Sequence, residues 1–277
     1  MDRLMYMSIW KAVLLGIVQG ITEFLPVSSS GHLVLLGQLF GLEEPDLTFD
    51  VMVHLGTLIA VVVALRSEVA LLFSGLRPVG QGAGSDQVKA GRRLILLLIV
   101  GTLPAAVVGL IAKDFVERLF GSAAFVGVAL LVTGSILWWA EGQVGTGRTM
   151  ESMKPQDALQ IGVWQILALA PGVSRSGTTI SAGLARGLAR SEAARFSFLL
   201  SLPVIAGAVL LQAGDVIDAF TQGTWAPLLA GTVAAALSGF LAIQGLLRLV
   251  QHHSLRFFSY YTWAVGLVVL VLPHFLR

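Results

Sequence analysis

The sequence predicts an all-α polytopic membrane protein with an inverted-topology repeat, each half a re-entrant helical hairpin plus three transmembrane helices. Three observations carry that expectation. The 277-residue chain is 56% hydrophobic and only 12% charged, with a mean hydropathy of +0.83, a balance foreign to soluble domains of this size. Six apolar runs are each long enough to cross a bilayer, which takes roughly 20 helical residues. Two polar breaks, Gln19–His32 and Gln165–Thr178, interrupt shorter apolar pieces at corresponding places in the two halves. Interrupted segments at matched positions point to a binding site in broken-helix membrane folds.

The elements follow in order. The spans are expected near Phe49–Leu65, Leu94–Ala112, Phe125–Ala140, Phe196–Ala213, Ala226–Leu247 and Phe257–Leu276. The first break lies between Trp10–Leu25 and Leu33–Phe40, the second between Ala158–Ala170 and Thr178–Leu188. Gln19 to Ser28 and Gln165 to Ser174 have the same separation, so Ser28-Ser29-Ser30-Gly31-His32 aligns with Ser174-Arg175-Ser176-Gly177-Thr178. Gly101-Thr102 and Gly231-Thr232 open matching spans. The chain is read as a single integral membrane domain, residues 1–277, with repeat one at about 1–140 and repeat two at about 155–277. Three spans per hairpin is an odd number, which inverts the second half relative to the first. Met1–Trp10 shows no signal-peptide cleavage pattern, so the first apolar segment is read as part of the mature protein.

Charge placement sets the orientation. With the first hairpin's ends outside, the inner loops hold Arg66, Arg77, Lys89, Arg92, Arg93, Arg148, Lys154, Arg186, Arg190, Arg195, Arg248 and Arg256. The outer side keeps Arg3, Lys11, Lys113, Arg118 and Arg277, and Arg175 lies within the second break. The positive-inside rule then puts both termini outside. The loop Glu43-Glu44-Pro45-Asp46 and the loop with Asp215 and Asp218 carry no positive charge and fall outside. Trp138 and Trp139 fall at the inner interface, where Trp is common. Hairpin one then dips from the outer face and hairpin two from the inner, so their tips meet near the midplane. A net charge of +2 is too small to suggest nucleic acid, and the absence of cysteine excludes disulfides, thiolate chemistry and cysteine-ligated metal.

The breaks carry the chemistry. Ionisable groups at membrane depth are functional-site candidates by default. Ser28–Gly31 and Ser174–Gly177 each precede an apolar helical piece and read as helix N-termini, which attract anions through free N–H groups and the helix dipole. Arg175 adds a forked donor suited to phosphate oxygens. Gln19 and Glu23 share a helix face, and Glu23 is placed to hold a divalent cation together with phosphate oxygens. His32 can carry a proton near neutral pH, and Ser29 can attack phosphorus if a base lies close. The set fits phosphoryl transfer or hydrolysis. Competing roles stand beside these. Capping competes for Ser28, Ser29, Ser30, Ser174, Ser176, Thr178 and Thr179, and a purely structural ion pair competes for Glu23 and Arg175. Asp50 and His54, one turn apart at the start of a span, either extend the pocket or cap and pack, the second reading being favoured; His252 and His253 read as solvated and the Arg186–Arg195 cluster as topology.

The runs Gln19–Glu23 with Pro26–His32, and Pro171–Thr179, together resemble the bacterial undecaprenyl-diphosphate phosphatase family, also called the bacitracin-resistance protein family (BacA/UppP). The likeness covers the whole chain in length, span count and motif spacing. It implies hydrolysis of a C55 isoprenyl diphosphate to the monophosphate and inorganic phosphate, which recycles the carrier lipid of the cell envelope and leaves less lipid diphosphate for bacitracin. It implies a divalent cation, Mg²⁺ or Ca²⁺, and an active site open to the periplasmic side of the bacterial cytoplasmic membrane. It implies a functional core of Glu23, Ser29, His32 and Arg175, with Gln19, Ser28, Ser30, Ser174, Ser176 and Thr178 around the substrate. Where the family often has Glu at its first motif position this chain has Gln19, which brings no charge to a cation. Expected partners are the polyprenyl diphosphate and membrane lipid, with a second copy of the chain as a candidate.

A transporter or flippase for polyprenyl phosphate is the alternative, since inverted repeats and broken helices also build transporters. The acid-phosphatase-like lipid phosphatases share the Ser-Gly-His run but need a second His downstream of their Ser-Arg, and no His follows Arg175 until His252. A structural membrane protein leaves the polar breaks unexplained.

Overall fold

Two prolines decide where the short helices end. The residue before proline is pushed out of the helical region. Leu25, before Pro26, is extended (φ −67°, ψ 141°) and closes the first helix; Ala170, before Pro171, is extended (φ −76°, ψ 125°) and closes a 3₁₀ turn over Ile166–Leu169. Past each stop the chain turns through a left-handed residue, Ser28 (φ 71°) and Gly172 (φ 93°), and re-enters a helix.

The computed structural model describes residues 7–40, 47–78, 85–119, 122–143, 147–221 and 225–275. The loop Glu43-Glu44-Pro45-Asp46, Arg3 and Arg277 lie outside the described residues. The α-helices are α1 (Ile9–Phe24), α2 (Ser29–Leu39), α3 (Leu47–Ala64), α4 (Arg66–Gly75), α5 (Ser85–Ile111), α6 (Lys113–Leu119), α7 (Ala123–Glu141), α8 (Pro155–Gln165), α9 (Arg175–Ala185), α10 (Arg190–Leu211), α11 (Ala213–Thr221), α12 (Trp225–His252) and α13 (Arg256–Phe275). Among the described residues there is no strand, only an isolated bridge between Arg148 and Leu188.

Among the described residues five helices are long and apolar enough to cross a membrane: α3, α5, α7, α10 and α12. The protein is therefore a multi-pass membrane protein. The sixth expected span corresponds to α13, whose apolar stretch Arg256–Val271 is shorter. The expected boundaries hold within a turn or so, except that α5 begins at Ser85 and α10 at Arg190. Stretches read as connecting loops contain α4, α6 and α11. Side chains follow the rule for a bilayer solvent, with polar groups inside and apolar ones facing out. Leu110, Ile111, Leu210 and Leu211 are exposed, whereas Gln19, Glu23, Thr57, Thr133, Ser197 and Ser201 are buried.

Small residues set the close crossings. α1 packs on α12, which also packs on α3, while α8 packs on α5 and α13 on α7. Gly16 lies against the Gly231 backbone and Gly162 against the Gly101 backbone, each so closely that a Cβ would collide with a carbonyl oxygen. Thr232 Oγ1 donates to the Met52 carbonyl at 3.0 Å, and Trp263 Nε1 to the Leu131 carbonyl at 3.1 Å. Phe24 meets Phe198 edge-to-face with ring centroids 5.3 Å apart within the largest core cluster among the described residues.

One end of the bundle is fastened by ion pairs. Asp157, in the first turn of α8 and outside the membrane-spanning helices, accepts from Arg148 (2.9 Å), Arg186 (2.8 Å) and the Lys154 N–H (2.8 Å). Glu141 pairs with Arg190 and accepts from the Leu255 N–H at 2.9 Å; Glu68 pairs with Arg195. The Arg186–Arg195 cluster is thus engaged in structural pairs. Arg256 lies 4.6 Å from the Trp138 ring, and Trp139 stacks on Trp164. Burial alone raises the Asp157 pKa, but the Lys154 N–H, Arg148 and Arg186 outweigh it and hold the carboxyl down to about 2, from 3.8.

Two predictions follow from the packing. Gly162→Val forces a branched side chain into the Gly101 backbone and is expected to cost about 1–3 kcal/mol, read as a lower melting temperature in detergent. Because the folded pKa of Asp157 is depressed, its contribution is full above 3.8 and fades as pH falls through about 2. The difference in melting temperature between wild type and Asp157→Asn should shrink across that window; a difference unchanged from pH 6 to pH 2 contradicts the pairing.

Candidate active site

The two hairpin turns meet. A Cβ on Gly31 would lie 3.2 Å from the Gly172 Cα, and one on Gly177 3.5 Å from the Pro26 Cβ. Ser176 Oγ donates to the Leu25 carbonyl at 3.0 Å, tying α9 to the first turn. The two turns are capped alike: Gly31 N–H donates to Ser28 Oγ (3.2 Å) and Gly177 N–H to Ser174 Oγ (3.0 Å). In each, the cap hydroxyl also lies beside that of the residue two further on, Ser30 (3.3 Å) and Ser176 (3.2 Å).

Glu23, at the last turn of α1, is the centre of the site and is 8% exposed. Its Oε1 accepts from Arg175 Nη2 at 2.6 Å. Its Oε2 accepts from Ser29 Oγ at 2.6 Å and from Gln19 Nε2 at 3.0 Å. The second fork of Arg175 donates to the Ser197 carbonyl at 3.0 Å, which aims the guanidinium from α10. His54 Nδ1 donates to the Asp50 carbonyl at 2.6 Å and so turns its Nε2 toward Glu23 Oε2, 3.7 Å away. A buried carboxylate stays charged only when paired and hydrogen-bonded, and these contacts supply both.

The imidazole of His32 stands one turn into α2. Its Nδ1 donates to the Ser28 carbonyl at 2.7 Å and its Nε2 meets the Tyr261 hydroxyl at 2.8 Å. It bonds neither Glu23 nor Ser29 directly. Of the residues singled out in the sequence, Gln19, Glu23, Ser29 and Arg175 form one bonded cluster. Ser28 caps α2 and orients His32, and Ser30 Oγ accepts from the Gly172 N–H at 3.5 Å. Ser174, Ser176 and Thr178 are about 1% exposed, and the Thr178 hydroxyl donates back to the Ser174 and Arg175 carbonyls. Their hydroxyls shape the α9 N-terminus from within.

His54, for which the sequence offers both pocket and packing, faces the pocket. Two further contributors lie outside what the sequence singles out. Ser197 acts through its backbone, and Tyr261 reaches in from the last helix; neither stands in a local pattern.

A multi-pass helical membrane protein with a carboxylate, a guanidinium, a hydroxyl and an imidazole gathered where two helix N-termini meet: fold and site define that class. The family model described as Bacitracin resistance protein BacA matches residues 12–268, and the chain belongs to that family. Similar proteins include the undecaprenyl-diphosphatases of Carboxydothermus hydrogenoformans (45% identical over 269 residues, 96% of this chain and 98% of the relative), Halothermothrix orenii (41% over 268 residues, 96% and 98%) and Desulforapulum autotrophicum (44% over 274 residues, 96% and 98%).

The ion pair generates a stability prediction. Removing Arg175 with Arg175→Met strands a buried carboxylate, at an expected cost of about 3–5 kcal/mol. Adding Glu23→Gln should recover part of the lost melting temperature. Equal destabilisation in single and double variants would show that the two side chains do not interact.

Proposed function

We propose that the protein is an integral membrane phosphatase that hydrolyses undecaprenyl diphosphate to undecaprenyl phosphate and inorganic phosphate, recycling the carrier lipid and conferring bacitracin resistance. The observation that carries this reading is the 2.6 Å bond from Ser29 to Glu23, made beside the Arg175 guanidinium. A hydroxyl already bonded to a carboxylate is a nucleophile with its base in place. The names of the relatives weigh against a transporter.

The residues have the following roles. Arg175 and the N-termini of α2 and α9 grip the diphosphate, with Gln19, Ser28 and Ser30 around it and Ser174, Ser176 and Thr178 holding the α9 N-terminus in place behind it. Incoming phosphate oxygens compete with Glu23 for Arg175, and Glu23 stays a carboxylate as the guanidinium turns to the substrate, free to act as base. In the covalent version Ser29 Oγ attacks the terminal phosphorus, its proton passes to Glu23 Oε2, and the bridging P–O bond breaks. Undecaprenyl phosphate leaves, and water then cleaves the phosphoserine. In the direct version water replaces Ser29 as nucleophile, with the same bonds broken overall. His32 exchanges protons with water or the leaving group.

A divalent cation fits this donor set only as a ligand shared with substrate. Among the described residues no three of His, Cys, Asp and Glu gather into a metal site. Glu23 offers one carboxylate, and the buried Gln19 Oε1 has no hydrogen-bond partner. Mg²⁺ is commonly bound by one or two carboxylates plus substrate phosphates. Such an ion, Mg²⁺ or Ca²⁺, offsets charge on the phosphate oxygens.

The inverted repeat is supported by mirrored contacts. Gly16 on Gly231 answers Gly162 on Gly101, each hairpin helix crossing a span of the other half. The twin caps at Ser28 and Ser174 agree with two re-entrant hairpins, and charge placement supports outer termini and a periplasmic mouth in the cytoplasmic membrane.

Purified wild type should release phosphate from a polyprenyl diphosphate but not from soluble phosphate esters, and chelator should reduce the rate. No release overturns the reading. Arg175→Lys should lose about 100-fold or more in turnover, because a point charge cannot replace a fork. Labelled phosphate trapped on Ser29 selects the covalent version, and retained turnover in Ser29→Ala removes it. The chain has no native cysteine, so single cysteines report topology cleanly: Asp218→Cys should label from outside intact cells and Lys89→Cys should not. The reverse pattern overturns the orientation.

A further inference from the structure

We infer that Tyr261 is a positioning residue for the proposed hydrolysis: its hydroxyl, carried on the last helix, holds the His32 imidazole, whose tautomer the Ser28 carbonyl sets, in one orientation. The inference rests on the phosphatase reading above.

Hydrogen-bond chemistry fixes the tautomer. A backbone carbonyl can only accept, so the 2.7 Å contact between His32 Nδ1 and the Ser28 carbonyl places a proton on Nδ1. The neutral ring then carries its lone pair on Nε2, and the Tyr261 hydroxyl, 2.8 Å away, donates to it. When the ring takes a second proton, Nε2 becomes a donor and the same phenol oxygen accepts. The contact therefore persists through a proton-transfer cycle while its direction reverses. Isolated neutral imidazoles do not keep one tautomer unless something outside the ring selects it.

The placement of both ends argues for orientation rather than chance packing. The Ser28 carbonyl is presented by a left-handed residue, φ 71°, one step before α2. Tyr261 comes from the other end of the chain, 229 residues away. The two rings lie parallel, 5° apart in plane with centroids at 5.7 Å. The helix that carries Tyr261 is fastened next to it: its neighbour Tyr260 meets Trp138 and Trp263 edge-on, and Trp263 donates to the Leu131 carbonyl of α7. His32 stands on an 11-residue helix at a hairpin tip, and Tyr261 is the hydrogen-bonded restraint reaching its outer nitrogen.

The test is a double-mutant cycle. Tyr261→Phe keeps the ring and removes the hydroxyl. Its kcat on polyprenyl diphosphate should fall about 10- to 100-fold, with KM within about twofold of wild type. In a His32→Gln background the same substitution should cause no further loss. Losses that multiply, or a Tyr261→Phe enzyme with wild-type kcat, overturn the inference while leaving the phosphatase reading intact. A wild-type protein that releases no phosphate overturns both. A second measurement needs no turnover: in ¹⁵N-histidine-labelled wild type, neutral His32 should carry its proton on Nδ1, and Tyr261→Phe should move the Nε2 resonance to that of an unbonded nitrogen. A neutral wild-type ring protonated on Nε2, or an Nε2 resonance indifferent to Tyr261→Phe, overturns the inference.

Discussion

The pair Glu23–Arg175 sets the terms for the rest of the molecule. A carboxylate and a guanidinium in an apolar interior are each costly alone, and their attraction compensates only when geometry is good and the remaining donors and acceptors are satisfied. Here one carboxylate oxygen takes the guanidinium and the other takes Ser29 and Gln19. The second fork of Arg175 ends on a backbone carbonyl of α10. Because the two charged groups sit on different hairpins, the pair can form only if both turns reach the same point. The turns, their proline stops and their serine caps are arranged to that end.

The packing around the pair follows the same logic. Neither hairpin is covered mainly by its own half. α1 lies along α12, and α8 along α5, each through a glycine-to-glycine contact that brings backbones as close as they can come. Such contacts suit a lipid solvent, where close van der Waals approach rather than burial from water drives helix association. The polar fastening at one end, through Asp157, Glu141 and Glu68, locks the helices in register without entering the site. The site thus combines a rigid frame with a buried ion pair.

Much of this was legible in the sequence, for identifiable reasons. Spans declare themselves because a bilayer demands long apolar runs, and the matched spacing of Gln19–Ser28 and Gln165–Ser174 exposed the two turns. The meeting of Arg175 with Glu23 and Ser29 followed from placing both turns at one depth. The short helices α4, α6 and α11 were invisible because their polar faces read as connecting loop. Tyr261, Ser197 and His54 were missed or undervalued because their contributions depend on which helix faces which, and one of them acts through its backbone alone. Hydroxyls such as those of Ser176 and Thr178 look the same in sequence whether they cap, tie or touch a ligand; only their partners distinguish these roles.

The sequence distance across the central pair has a temporal meaning. Glu23 and Arg175 are 152 residues apart, and ribosomes add about 5–20 residues each second. The carboxylate is therefore made about 8–30 s before its guanidinium. During that interval Glu23 lacks the guanidinium that neutralises it, and a carboxylate in an apolar surround without its partner is costly. The pairing that neutralises Glu23 thus waits on a residue from the second half of the chain.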